Sequence, residues 1–160
     1  MRRTLTTAAT LVAVAAAFAA VAAGGTHSAE QRVRIEATGA DPFTFHLTPK
    51  SHGRIQGDVG QLTFCCWRTS SVTRAGARLD VSNPLLTFHG EHGVLRIRVR
   101  VEWIPLPDGW SVFTGTWKVV GGERGYSGLS GHGRMAGTWA PETDPHRDLR
   151  LRLFGFLQPK

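Results

Sequence analysis

A chain of 160 residues with a formal charge of +7 and two cysteines is sized for one domain. A core of that size buries roughly two-thirds of its unfolded surface, so the fold depends on neither disulfides nor a metal. The positive balance permits attraction to anionic polymers or membranes without demonstrating it, and arginine supplies 16 of the 19 basic residues.

The chain opens with Met1-Arg2-Arg3, an alanine-rich apolar run from Leu11 to Ala23, and the small-x-small pattern Ala20-Val21-Ala22. These read as a secretory signal peptide over residues 1–25, cleaved between Ala22 and Ala29. The run is shorter than the roughly 20 apolar residues that span a bilayer, so no membrane span is expected after cleavage. The pattern after the Arg pair is too loose for a twin-arginine signal, which leaves the general export route. Loss of Arg2 and Arg3 removes two charges, leaving +5. The expected location is extracellular.

Residues 30–160 show no long helical period. Short alternating segments dominate: 32–36, 43–47, 61–67, a weaker 71–81, 85–88, 94–104 and 110–120. A glycine-rich strand follows the turn Gly121–Gly125, and 148–157 is the last strand. His89-Gly90-Glu91-His92-Gly93 and Pro105-Leu106-Pro107-Asp108-Gly109 are hairpin loops, and Ala140–Pro145 is a third loop. Eight or nine strands at short spacing predict an all-β fold, an antiparallel eight- or nine-stranded barrel.

The segment 94–104 shows the pattern most clearly. Leu95, Ile97, Val99, Val101 and Trp103 share one face, and Arg96, Arg98, Arg100 and Glu102 the other. One face is buried and one wet, as in antiparallel sheet. The last strand repeats this with Arg150 and Arg152 between leucines. Gly125, Gly128, Gly131, Gly133 and Gly137 weaken their own strand, which suits a sheet that bends to close or meets another backbone closely.

Phe113–Arg134 and Leu153-Phe154-Gly155-Phe156-Leu157 resemble the allene oxide cyclase and dirigent type of β-barrel. The shared feature is an aromatic-bearing strand, a glycine-rich turn, then an aromatic, a small residue and glycine. Here it runs from Thr116-Trp117 through Gly121-Gly122-Glu123-Arg124-Gly125 to Tyr126-Ser127-Gly128. Glu123 and Arg124 depart from the usual Thr and Gly, and upstream only the strand rhythm matches. The resemblance implies an eight-stranded barrel with a cavity, often for an apolar ligand, in a secreted bacterial-type member. The catalytic residues of the plant members have no counterpart here that can be placed.

Four local motifs invite chemistry. Cys65-Cys66 are neighbours on an expected strand, so one thiol is expected inside and one outside, with a strained vicinal disulfide as the alternative. His89-x-x-His92 has the spacing of metal ligands, but a loop fixes neither ring, and no metal or cofactor is expected. Gly128-Leu129-Ser130-Gly131-His132 lacks the last glycine and the following helix of a nucleophile elbow. The glycines from Gly121 to Gly133 lack the Gly-Lys-Ser/Thr of a phosphate loop.

Three functions follow as expectations. The leading one is a secreted barrel that binds a small apolar or amphipathic ligand through Phe45, Phe64, Val99, Trp103, Trp117 and Tyr126. The second is an isomerase or cyclase of allene oxide cyclase-like type, with Glu36, His46, Arg98, Glu102 and Tyr126 as titratable candidates; the balance leans away from an enzyme. The third is an envelope-associated module that holds an anionic polymer on Arg96, Arg98, Arg100, Arg150 and Arg152. If the first and last strands pair, Arg32 and Arg34 join Arg150 and Arg152 in one patch. The arginine face shows no interleaved aromatics, which argues against nucleic acid.

Overall fold

The computed structural model describes residues 30–74, 76–141 and 148–160. The expected signal peptide and most of the loop after Ala140 lie outside the described residues. The described residues form ten strands: β1 (Gln31–Gly39), β2 (Phe43–Pro49), β3 (Asp58–Cys65), β4 (Thr69–Arg74), β5 (Ala77–Ser82), β6 (Leu85–Gly90), β7 (Gly93–Pro105), β8 (Ser111–Arg124), β9 (Leu129–Trp139) and β10 (Leu149–Pro159). Among them no helix is long and apolar enough to cross a membrane.

All pairings are antiparallel. The order β7-β6-β3-β2-β1-β10-β9-β8 returns to β7 through the β7–β8 ladder, so eight strands close a barrel. The other two strands are extensions. β3 and β4 flank a break at Cys66-Trp67-Arg68, and β5 and β6 flank one at Asn83-Pro84. The Asn83 amide bonds the Arg68 carbonyl across the two breaks (3.2 Å). β3–β4 and β5–β6 are thus two long bent strands whose far ends leave the barrel as a hairpin.

The ends of the barrel differ. The β4–β5 hairpin, the loop 106–110 and the start of the β9–β10 connection gather at one end, here termed the mouth. The connections β2–β3, β6–β7 and β8–β9, the start of β1 and the end of β10 gather at the other, closed end.

Alternation sets what lies inside. Leu95, Ile97, Val99 and Val101 are buried along β7, and Leu149, Leu151, Leu153 and Leu157 along β10. The missing inward leucine of β10 is Gly155, which pairs with Gly133. Trp117 occupies the space: a Cβ on Gly133 would lie 2.7 Å from its Cε2, and one on Gly155 2.6 Å from its Cζ2. Its Nε1–H donates to the carbonyls of Arg134 (3.1 Å) and Phe154 (3.2 Å). Gly137 likewise makes room for Phe113, whose Cε2 would sit 2.8 Å from an added Cβ. The glycine-rich strand therefore serves the filling of the barrel by large aromatics as well as its closure.

Three boundaries differ from the sequence expectation. Segment 71–81 is two strands, because Gly76 (φ +81°) turns the chain between them. Gly121 and Gly122 continue β8, and the turn falls at Gly125–Gly128 after Arg124 (φ 56°). Cys66 adopts φ 63°, which breaks strand alternation; both Cys65 and Cys66 are exposed free thiols, not one inside and one out.

Candidate functional site

Six aromatic side chains converge at the mouth: Phe43, which starts β2, lies 5.2 Å from Phe64 and 5.8 Å from Trp139, and five more come from five further segments. Phe64 is next to last in β3, Trp67 lies in the break, Trp103 is near the end of β7, Phe113 is near the start of β8 and Trp139 ends β9. Trp67 has ring centroids 6.1 Å from Phe64, 6.0 Å from Trp103 and 6.3 Å from Trp139. Trp103 lies 4.9 Å from Phe113 and 6.3 Å from Trp139. Such tilted and edge-on pairs are favoured by the ring quadrupole. Trp67 nevertheless remains 44% exposed, a large apolar surface at the entrance.

Beneath the cluster lies a void of about 20 Å3, bounded by Phe64, Trp67, Val99, Val101, Trp103 and Met135 among others. That is room for about one water, but its lining is wholly apolar, so no partner would hold the water.

The β4–β5 hairpin stands above this end. Five of the six β4 residues are exposed. Three register pairs, Asp80–Trp103, Val81–Glu102 and Ser82–Val101, join the hairpin to β7. The Trp103 Nε1–H donates to Ser82 Oγ at 2.6 Å. An exposed β4, only three register pairs to β7 and a left-handed residue at its base leave this hairpin weakly anchored.

The closed end is built differently. Asp58, at the start of β3, is a buried carboxylate. It accepts from the Tyr126 hydroxyl (2.7 Å) and from the amides of Val59 and Glu91 (2.9 Å each). The His92 amide (3.3 Å) and its ring Nδ1 (3.3 Å) also face it. Burial pushes the Asp58 carboxyl up, but the bonds from Tyr126, His92, Val59 and Glu91 together outweigh it and hold the carboxyl below its usual range. Burial, then the Asp58 carboxylate, pushes the Tyr126 phenol far above its ordinary value. Gln31 completes the plug: its amide donates to Ile55 O (2.8 Å) and accepts from Ile55 N (2.7 Å). The chemistry here is structural satisfaction of buried polar groups. Asp58 was not singled out from the sequence; its position two residues before Gly60, itself opposite Gly90, is the only local hint.

The expected ligand residues separate. Phe64, Val99 and Trp103 meet at the void. Phe45 is buried in the core against Phe88 (5.1 Å). Trp117 is committed to the Gly133–Gly155 wall, and Tyr126 to Asp58 at the opposite end. Phe43, Trp67, Phe113 and Trp139 were not among the expected ligand residues. The sequence signal for Trp67 was its place beside Cys65-Cys66, where the strand breaks.

Of the titratable candidates, His46 is exposed, and Glu36, Arg98 and Glu102 lie on the outer, alternate positions of their strands. The arginines expected to form rows are largely paired: Arg96 with Glu123, Arg100 with Glu102 at 2.8 Å, Arg150 with Asp148 at 3.9 Å, and Arg152 with Glu36 at 3.0 Å. Arg98 donates to the Asn83 carbonyl at 3.2 Å. The Arg100 hydrogen bond, then the nearby Arg74, holds the Glu102 carboxyl below its usual range. The first and last strands do pair, but their register does not join four arginines. Arg32 and Arg34 face Phe156 and Phe154, while Arg150 and Arg152 face Thr38 and Glu36. Aromatics therefore do interleave with cations on the outer face.

His92 is held by Asp58, contrary to the expectation of an unfixed loop ring. Among the described residues no group of three or more His, Cys, Asp or Glu side chains could hold a metal. The thiols of Cys65 and Cys66 interact, and the bond from Cys66 raises Cys65 above its ordinary value. Compared with known proteins, the chain matches no family model, no curated protein and no solved structure.

Proposed function

We propose that this protein is a secreted β-barrel that binds a small apolar or amphipathic molecule at its aromatic mouth. The observation that carries the reading is the wholly apolar void capped by the half-exposed Trp67 at the base of a weakly anchored hairpin. The void, about 20 Å3, is far below the roughly 300–1,000 Å3 of ligand pockets, so binding requires Trp67 and the hairpin to swing outward. The positive φ of Cys66 and the break at Asn83-Pro84 supply the pivot. A ligand entering there stacks on Phe64, Trp103 and Trp139 and finds no ionisable group in the lining. That lining favours binding over isomerase or cyclase chemistry. The export reading of residues 1–25 and the likeness to the allene oxide cyclase and dirigent type support the same proposal.

The test is titration with N-phenyl-1-naphthylamine, a neutral apolar fluorophore. Saturable enhancement is expected, weakened about tenfold by Trp103→Ala through lost stacking and contact area. No saturable enhancement, or equal affinity in Trp103→Ala, would overturn the proposal.

A further inference from the structure

The outer wall carries a second surface, independent of the mouth. Strand register aligns Arg98, Lys118, His132, Phe156 and Arg32 in one row across five strands. Lys50 extends it, its amide bonded to the Arg32 carbonyl at 2.8 Å. The adjacent row reads Arg100, Thr116, Arg134, Phe154 and Arg34. Neither row contains a carboxylate. A groove of about 590 Å3 runs between Arg32, Lys50, His132, Arg134, Phe154 and Phe156.

Its groups are available. Among the described residues Arg32, Lys50, Lys118 and Arg134 pair with no carboxylate. The Arg32 guanidinium lies 5.8 Å from the Phe156 ring centre, and the His132 ring lies 6.2 Å from the same ring. Among the described residues Phe154 has no such partner, and it is 49% exposed. An apolar ring left bare among cations invites a ligand that is both flat and anionic.

We propose that this groove binds single-stranded nucleic acid, with a base stacked on Phe154 and phosphates on Arg32, Lys50 and Arg134 in the groove and on Lys118 beside it in the same row. The groove's side chains are mostly N–H donors: only the Thr116 hydroxyl and the His132 ring can accept, and no carboxylate or amide side chain is among them. Donors suit phosphate oxygens; the hydroxyls of an anionic glycan also need acceptors. A flexible strand follows a convex barrel wall, whereas a duplex with a persistence length of about 50 nm stays straight. Five strands spaced about 4.8 Å apart reach roughly 20 Å, which suits the short end of known single-strand sites, about four nucleotides.

The test is fluorescence anisotropy of labelled oligo-dT of about 16 nucleotides over a sodium chloride series. Four engaged cations give a log–log salt slope of about −2.8. Phe154→Ala is expected to weaken binding about 5- to 150-fold at unchanged slope, while Phe154→Trp retains it. Arg134→Gln is expected to make the slope shallower by about 0.7. No binding at about 50 mM salt overturns the proposal. So does unchanged affinity in Phe154→Ala, or equally tight binding of dextran sulfate, which has charge and no bases. None of these outcomes depends on whether the naphthylamine binds at the mouth.

Discussion

Removal of the Asp58 carboxylate tests how the closed end is held. In Asp58→Ala the Tyr126 hydroxyl, 2.7 Å from the lost oxygen, is left buried without an acceptor. The Glu91 amide loses a 2.9 Å bond. The Val59 amide and the His92 groups lose theirs as well. Each deprived buried donor costs about 1–3 kcal/mol. Of these bonds only the one from Tyr126 is buried, so it bears the full cost, and the part-buried amides of Val59, Glu91 and His92 each lose less. The expected loss is about 4 kcal/mol, a large share of a usual domain's stability. Tyr126→Phe, which removes one charge-assisted bond and leaves no orphaned donor, is expected to cost about 2 kcal/mol.

The same pair predicts a pH response. The folded Asp58 carboxyl lies below the usual carboxylate range, so its ionised form is favoured by folding. Its contribution is complete above the unfolded value and lost as pH falls through the lower, folded value, below about pH 4. Urea unfolding followed by tryptophan fluorescence, at neutral pH and at a series of acid values, measures both effects. A loss under about 0.5 kcal/mol in Asp58→Ala, or an acid response identical to wild type, would refute the reasoning.

Two further substitutions probe the wall and the hairpin. Gly155→Ala places a methyl against the His132 carbonyl, the Trp117 ring and the Gly133 backbone, and a fall of about 3 kcal/mol is expected in the same unfolding assay; wild-type stability would show that both the Trp117 ring and the β9 backbone are free to give way. Trp103→Phe keeps the ring but loses the bond to Ser82, so hydrogen exchange of residues 80–82 is expected to accelerate about five- to tenfold, the effect of roughly 1 kcal/mol; unchanged exchange would mean the hairpin is held by other contacts.

The barrel was legible because each strand carries its own evidence. Leu95 to Trp103 alternates with arginines along one strand, and β7 buries that apolar face as read. What the sequence could not convey was register. Arg150 and Arg152 look like partners for Arg32 and Arg34 until the β1–β10 ladder sets phenylalanines opposite the latter pair. The cation rows of the outer wall run across strands, between residues far apart in the chain, so no linear pattern displays them. Asp58 was invisible for a similar reason: its donors come from Tyr126, Glu91 and His92, two distant turns. The mouth was half legible. Phe64, Val99 and Trp103 follow from strand alternation, but Trp67 sits where Cys66 departs from it, and alternation fails at such a residue.

The most direct test of the mouth is a set of backbone amide and indole NMR spectra recorded during titration with N-phenyl-1-naphthylamine. The predicted result is saturable shifts at Phe64, Trp67, Trp103 and Trp139 and across the hairpin residues 80–84, with Tyr126 and Phe154 unmoved. Shifts confined to the outer wall, or none at the mouth, would contradict it.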